Sequence, residues 1–211
     1  MLKDFPLFTT ENGIASLKLS QIPYTGVAYI TLRDSQSPDA LLADCTSFCR
    51  AVGAERVYAC GCDLSGKYQI HTHIWQMEVH RDRVGQTDAV LTPVSRENLS
   101  EFRSLYNEKM TDVPNASHMT QMQGRDMLGK SYFVSRDGQM LGIVIGSGNM
   151  IEAIASCVPG SGETLVRGIC SVLTGDVFTL TVASTNTRAV NLYRRMGFTV
   201  SDTIATWYKI I

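Results

Sequence analysis

The 211-residue chain has little net charge and no long run of either sign. Its formal charge is -1, with 19 Lys and Arg against 20 Asp and Glu. A protein that binds mainly nucleic acid or an anionic membrane surface usually has a basic excess. We therefore expect no nucleic acid and no membrane among its partners.

Long apolar runs and a signal-peptide pattern are also missing. No window approaches the ~18 apolar residues of a membrane-spanning helix, and the first residues lack an apolar core with a cleavage site. We expect a cytoplasmic location, where the six cysteines would be reduced rather than paired. A hydrophobic content of 44% and a charged content of 18% are typical of an ordinary folded protein.

The first 87 residues predict a small α/β lobe. Ser37 followed by Pro38 is typical of a helix start. The pattern of apolar residues, interrupted by proline and glycine, predicts strands within 13–32, a helix over 37–52, and strands at 56–60 and 68–77. The polar segment 81–87, which contains glycine, is the best candidate boundary before a larger domain at 88–211.

Four residues of this lobe raise the question of a metal site. Cys60, Cys62, His71 and His73 are residue types that bind zinc. The Cys-x-Cys spacing is unusual for zinc, and alternate residues of a strand leave little room for tetrahedral ligands. Exposed histidines and core cysteines explain the pattern more simply, so we predict no metal.

The second half of the chain alternates strands and helices. Ser95 is a candidate helix cap, and Arg136-Asp137-Gly138 is a hairpin turn signal. The predicted elements are a strand at 89–93, a weak helix at 119–128, a strand at 150–157, a helix at 162–173 and a strand at 177–183. The two halves have a similar order, which leaves open a degenerate internal duplication.

The segment 179–198 contains the most informative pattern. A strand is followed at once by a helix that Asn186 can cap. The apolar face of this helix comprises Ala189, Leu192, Tyr193 and Met196, and Gly197 is placed to end it. The arrangement Asn186-x-x-Ala189-x-x-Leu192-Tyr193-x-x-x-Gly197-Phe198 resembles the last conserved segment of the GNAT acyl-CoA N-acyltransferases.

The resemblance implies an α/β fold with a mixed central sheet flanked by helices over 88–211. The first 87 residues would be a smaller lobe, and one interpretation of it is a truncated GNAT-like half without chemistry of its own. The implied reaction moves an acetyl group from acetyl-CoA to a primary amine. The acceptor could be a small-molecule amine, an amino acid or a peptide, and the protein a monomer or homodimer.

The same resemblance implies a cofactor site after the strand at 150–157. Glycines before a helix allow the backbone to approach a phosphate, and free N–H groups at the helix start bind anions. The family pattern has Arg or Gln where this chain has Cys157, and Glu163 adds a negative charge to the first turn. The expected cofactor-binding residues are Ala155, Ser156, Cys157, Gly160, Ser161, Gly162, Thr164 and Asn186.

Two side chains are candidates for proton transfer. Tyr193 corresponds to the family tyrosine that protonates the departing thiolate, although it could equally be a core residue. Glu152 lies where several relatives place a carboxylate that acts through water, and His118 is a rival. The alternative function is a catalytically weak module that binds acyl-CoA or a protein partner as a sensor. A structural fold without CoA is a third possibility.

Overall fold

The structure is a computed structural model that describes residues 2–211. It is an α/β protein, as predicted. The strands are β1 (Phe5–Thr10), β2 (Gly13–Lys18), β3 (Val27–Ser35), β4 (Arg56–Cys60), β5 (Ile70–His80), β6 (Val90–Pro93), β7 (Ser131–Arg136), β8 (Gln139–Ser147), β9 (Met150–Ser156), β10 (Val177–Ala183) and β11 (Thr199–Lys209). The helices are α1 (Ile22–Thr25), α2 (Pro38–Ala51), α3 (Arg81–Val84), α4 (Leu99–Met110), α5 (Gln121–Asp126), α6 (Gly162–Val172) and α7 (Thr187–Arg195).

The chain divides into two compact units at positions that differ from the predicted boundary. The first unit extends to Ile74 and includes the C-terminal segment Thr203–Ile211, and the second is Trp75–Asp202. Within the segment 81–87, Arg81 donates hydrogen bonds to carbonyl oxygens after α6, including that of Leu173 at 2.8 Å. Packing of this polar segment onto a helix end could not be inferred from its composition.

The first unit packs α2 on one face of a mixed sheet. Its strand order is β1-β2-β3-β4-β11-β5, with β3 and β4 parallel. Leu41 and Cys45 of α2 are buried among apolar residues that alternate along the strands, such as Ile30 and Val57. The edge strand β1 lies outside the predicted elements, because Phe5 and Leu7 remain exposed and give no core-facing pattern.

The second unit has two apolar layers. Its strand order is β11-β5-β10-β9-β8-β7-β6. The cluster that contains α6 and α7 includes Leu165, Phe178 and Phe198, and the cluster that contains α4 includes Phe102 and Ile143. The helix predicted from Ser95 begins later, at Leu99, because Asn98 stands at its N-cap position and accepts a hydrogen bond from the Ser95 N–H. No helix within residues 2–211 is both long and apolar enough to cross a membrane.

Candidate functional site

Strands β9 and β10 run side by side only at their start. Parallel pairing joins Met150 to Thr179 and Ile151 to Leu180, whereas both strands continue several residues further. Beyond this pairing, the edge of β9 that faces β10 has main-chain groups without a partner strand. An extended ligand can bind such groups as an added strand would.

A β-bulge lies in β9 at the point where the strands part. Ala153 pairs with Ile145 of β8, but Ile151 pairs with Gly146, so Glu152 is the extra residue. Bulges bend a strand and redirect its side chains. The bulge therefore separates the paired start of β9 from the free edge that follows.

The hydrogen-bond pattern identifies which β9 amides face the opening. The Cys157 N–H donates to the Leu141 carbonyl of β8 at 2.8 Å. Along a strand of an antiparallel pair, the N–H groups of successive residues point alternately toward and away from the partner strand. The Ala155 N–H therefore also faces β8, and the N–H groups of Ile154 and Ser156 face the opening. Of residues 155–157, which were all predicted to bind the cofactor, Ala155 and Cys157 therefore direct their amides toward β8. The Ile154 N–H also faces the opening. This follows only from the register between β9 and β8, which the sequence alone does not reveal.

The loop after β9 leads directly into α6. Gly160 has a φ of 86°, and a Cβ built there would meet nothing within 4 Å. The first amides of α6, from Gly162 to Thr164, have no earlier helical carbonyl to bind. This combination of an open glycine and free helix-start amides fits a phosphate group.

Two of the predicted loop residues have structural roles. The Ser161 hydroxyl is buried and lies 2.8 Å from both the Ser156 hydroxyl and the Val158 carbonyl oxygen, so it closes the turn. A Cβ at Gly162 would lie 2.8 Å from Leu192 Cδ2. Glycine at position 162 is therefore needed for close packing of α6 against α7, rather than for access to a ligand.

The negative charge in the first turn of α6 is balanced by arginines. The Glu163 carboxylate lies 3.7 Å from an Arg167 guanidinium nitrogen and 3.6 Å from one of Arg195. These distances describe loose, partly exposed ion pairs, which contribute little stability. The two arginines nevertheless reduce the repulsion that Glu163 would exert on a bound anion. The sequence alone predicted this repulsion.

Tyr193 lies in the core of the second unit. It is 9% exposed, and its ring packs against Phe198 with centroids 5.6 Å apart. Burial raises the pKa of Tyr193 to about 12. The phenol is therefore protonated at neutral pH, which an acid requires and which a core tyrosine would also show.

Asn186 and Thr164, the other residues predicted to bind the cofactor, form hydrogen bonds near the starts of α7 and α6. The Asn186 side-chain oxygen accepts a hydrogen bond from the Ala189 N–H at 3.2 Å and caps α7 as predicted. The Thr164 hydroxyl accepts one from Arg136 at 3.4 Å. Asn186 Nδ2 is not needed for the cap, so it can still bind a ligand.

The Glu152 carboxylate is held by two neighbours. Lys130 Nζ donates to its oxygens at 3.0 and 2.9 Å, and the Ser147 hydroxyl donates at 2.8 Å. A carboxylate has about four lone-pair sites, so it can still accept a hydrogen bond from a water molecule. The ion pair was absent from the sequence interpretation because Lys130 is 22 residues away along the chain.

Three of the four candidate metal ligands have other contacts. The Cys60 thiol lies 3.6 Å from the Thr31 hydroxyl, His71 stacks on Tyr58, and His73 Nδ1 is 3.0 Å from the Thr206 hydroxyl. Within residues 2–211, no three His, Cys, Asp or Glu side chains are arranged to hold a metal ion.

Comparison with solved structures identifies proteins of the same fold. A GCN5-related N-acetyltransferase from Sphaerobacter thermophilus matches with a TM-score of 0.60 and 13% identity, over 93% of this chain and 75% of that one. A putative acetyltransferase from Pyrococcus horikoshii matches with a TM-score of 0.62 and 9% identity, over 94% and 69%. A functionally unknown conserved protein from Staphylococcus epidermidis matches with a TM-score of 0.61 and 13% identity, over 96% and 91%. No family model and no curated protein matches the sequence.

At these identities the matches establish the fold and not the reaction, because one fold can host many functions. The predicted mixed sheet flanked by helices is confirmed. The chain adopts the fold of the GCN5-related N-acetyltransferases, the GNAT superfamily.

Proposed function

We propose that the chain is an N-acetyltransferase that moves the acetyl group of acetyl-CoA to a primary amine. The observation that carries the proposal is the separation of β9 from β10, immediately before the glycine-containing start of α6. A small-molecule amine, an amino acid or a peptide is the proposed acceptor. The proposed state of the protein is a monomer or a homodimer.

The cofactor would bind along β9 and at the start of α6. Gly160 provides open backbone, and the amides of Gly162, Glu163 and Thr164 provide donors for the pyrophosphate. Asn186 Nδ2 is the proposed contact for the pantetheine arm. When bound, acetyl-CoA supplies an acetyl thioester whose carbonyl carbon is open to attack by an amine.

Main-chain donors would polarise the thioester carbonyl. The N–H groups of Ile154 and Ser156 face the opening between the strands. Fixed donors of this kind stabilise the negative charge that develops on a carbonyl oxygen during acyl transfer. The amides of Ala155 and Cys157 face β8 and are not available for this role.

The reaction would proceed by direct attack. The amine nitrogen bonds to the acetyl carbon, the carbon–sulfur bond breaks, and the Tyr193 phenol gives its proton to the leaving sulfur. Glu152, through water, would take the proton that the amine loses. Burial raises the pKa of the nearby Cys157 thiol, which makes that thiol a poor nucleophile at neutral pH and disfavours an acyl-cysteine intermediate.

Replacement of Glu152 by glutamine tests its role as base. We expect kcat/KM at neutral pH to fall by about 10²-fold, because a positioned general base contributes at least that much. Lys130→Met is the matched control, since it removes the ion pair but keeps the carboxylate. Equal losses in both variants would assign Glu152 a structural role and leave His118, whose ring Nε2 lies 3.2 Å from the Asn107 amide nitrogen, as the next candidate.

Calorimetric titration with acetyl-CoA tests the cofactor site. We expect the unmodified chain to bind and Gly160→Glu to lose at least about tenfold in affinity, because the new carboxylate would lie among the phosphate donors. Gly138→Glu is the matched control, since Gly138 also has a positive φ, 75°, and nothing within 4 Å of its Cβ position. Equal affinity in the two variants would exclude the α6 loop as the phosphate site.

The alternative is a catalytically weak module that binds acyl-CoA or a protein partner. Cys157 favours it, because this residue occupies the position where the family pattern has Arg or Gln. Binding of acetyl-CoA without turnover across a panel of amines would support this alternative. Absence of binding at millimolar acetyl-CoA would contradict both the enzyme and an acyl-CoA module, and would leave binding of a protein partner as the function to test.

A further inference from the structure

A groove between α4 and α5 is lined by three arginines. Arg96, Arg103 and Arg125 surround a cavity of about 590 Å³ whose walls also include Leu99 and Leu128. Leu99, Ser100 and Arg103 belong to α4, where Arg103 lies four residues after Leu99 and three after Ser100, so the three share one face of the helix, and Arg96 lies just before its start. The groove shares no residue with the α6 loop or with β9.

The charges of these arginines are not neutralised by the protein. None of the ion pairs within residues 2–211 includes one of the three arginines, and no acidic side chain lines the groove. Burial and the positive charge of Arg103 together lower the pKa of the neighbouring His118. Arg96 and Arg125 are exposed and Arg103 is half-buried, so an anion can reach all three guanidinium groups and would bring opposite charge to them.

The chemistry of the lining limits the ligand. A guanidinium fork binds carboxylate or phosphate oxygens through paired hydrogen bonds, and several arginines suit more than one negative charge. Ser100 and Gln121 offer further donors and acceptors at the wall. The two leucines provide apolar contact for a carbon skeleton, and a cavity of this size admits a small organic molecule rather than a single ion.

We infer that the α4–α5 groove is a binding site for a small organic dianion with an apolar body, either a phosphate monoester or a dicarboxylate. The site stands independently of the acetyl-transfer proposal, because its residues and its ligand differ from those of the cofactor loop. The anion would lie among the arginine forks, and its apolar body would contact Leu99 and Leu128.

Calorimetric titrations of the full chain with phenyl phosphate and, separately, with phthalate test the site and distinguish the two anion types. We expect saturable binding of at least one probe. Affinity should fall by about tenfold in Arg103→Gln and further in the triple Arg96→Gln, Arg103→Gln, Arg125→Gln variant, because charged hydrogen bonds are lost. Arg50→Gln, an exposed arginine at the end of α2, should leave affinity unchanged.

The Gly160→Glu variant separates this groove from the helix start of α6. If the groove binds the probe, this variant should keep the affinity of the unmodified chain. Loss of probe binding in Gly160→Glu, together with unchanged binding in the arginine variants, would overturn the inference, since the cofactor loop would then be the binding site of the probe. Absence of saturable binding by either probe up to about 10 mM, or equal binding by all variants, would also overturn it. If the triple variant fails to fold, Arg103→Gln alone decides between these outcomes.

Discussion

Tyr193→Phe is expected to lower kcat for acetyl transfer by about 10²- to 10³-fold, with little change in acetyl-CoA affinity. The phenol would be the proton donor to the departing sulfur, and phenylalanine keeps the ring but has no proton to give. The packing against Phe198 is retained. Release of the free CoA thiol with an amine identified by screening provides the rate.

The pH dependence of Tyr193 follows from its burial. Burial raises its pKa from 10.0 to about 12. The acid should therefore remain protonated through pH 10 and cause no decline in rate below that value. Between pH 10 and 12 the unfolded chain loses this proton while the folded chain retains it, so stability falls as pH rises. Tyr193→Phe should lack this contribution to alkaline destabilisation.

Tyr208→Phe is a suitable control for the loss of a phenol. The Tyr208 hydroxyl donates to Asp63 at 3.0 Å, and both residues belong to the first unit, whereas the residues of the proposed site belong to the second. We expect a small loss of stability, because this hydrogen bond is removed, and an unchanged kcat. If Tyr193→Phe turns over as fast as the unmodified protein, the assignment of Tyr193 as the acid is wrong.

Gly142→Ala is expected to destabilise the second unit by about 1 to 3 kcal/mol or more, because overpacking against backbone cannot relax easily. Gly142 pairs with Ser156 across β8 and β9. A Cβ at this position would overlap the Ala155 carbonyl oxygen and lie 2.9 Å from Leu165 Cδ1. The substitution must therefore push β9 away from β8.

This displacement should also weaken cofactor binding, since β9 holds the amides of Ile154 and Ser156 that face the opening. Thermal unfolding and acetyl-CoA titration would measure the two effects. Gly66→Ala is the control, because a Cβ there meets nothing within 4 Å and its φ is not positive, so stability should stay equal or rise by up to about 1 kcal/mol. An unchanged melting temperature in Gly142→Ala would contradict the close approach of the two strands.

Most helices and core strands could be predicted from local pattern. The helix α2 begins at Pro38 as expected, and β4 covers the predicted 56–60. These elements have strong local signals: a proline in the first turn and short apolar runs bounded by turn residues. Strand β1 was not predicted, because an exposed edge strand leaves a weak signal. The start of α4 was predicted too early, because a second capping residue three positions beyond Ser95 gives a competing signal.

The candidate site was only partly predictable. Asn186 as helix cap followed from its position before an amphipathic helix. The roles of the β9 amides did not, because the N–H direction depends on register with β8, and a shift of one residue would reverse it. The Glu152 ion pair and the arginine groove also depend on residues brought together by folding.

The sequence by itself determined the α/β class, the order of most elements and the motif from Asn186 to Phe198, because these depend on neighbouring residues and short periodicities. Only the tertiary structure decided where the compact units divide, which amides face the opening between β9 and β10, and that three arginines share one groove. These properties depend on contacts between residues far apart in the chain, whose geometry local propensity does not specify.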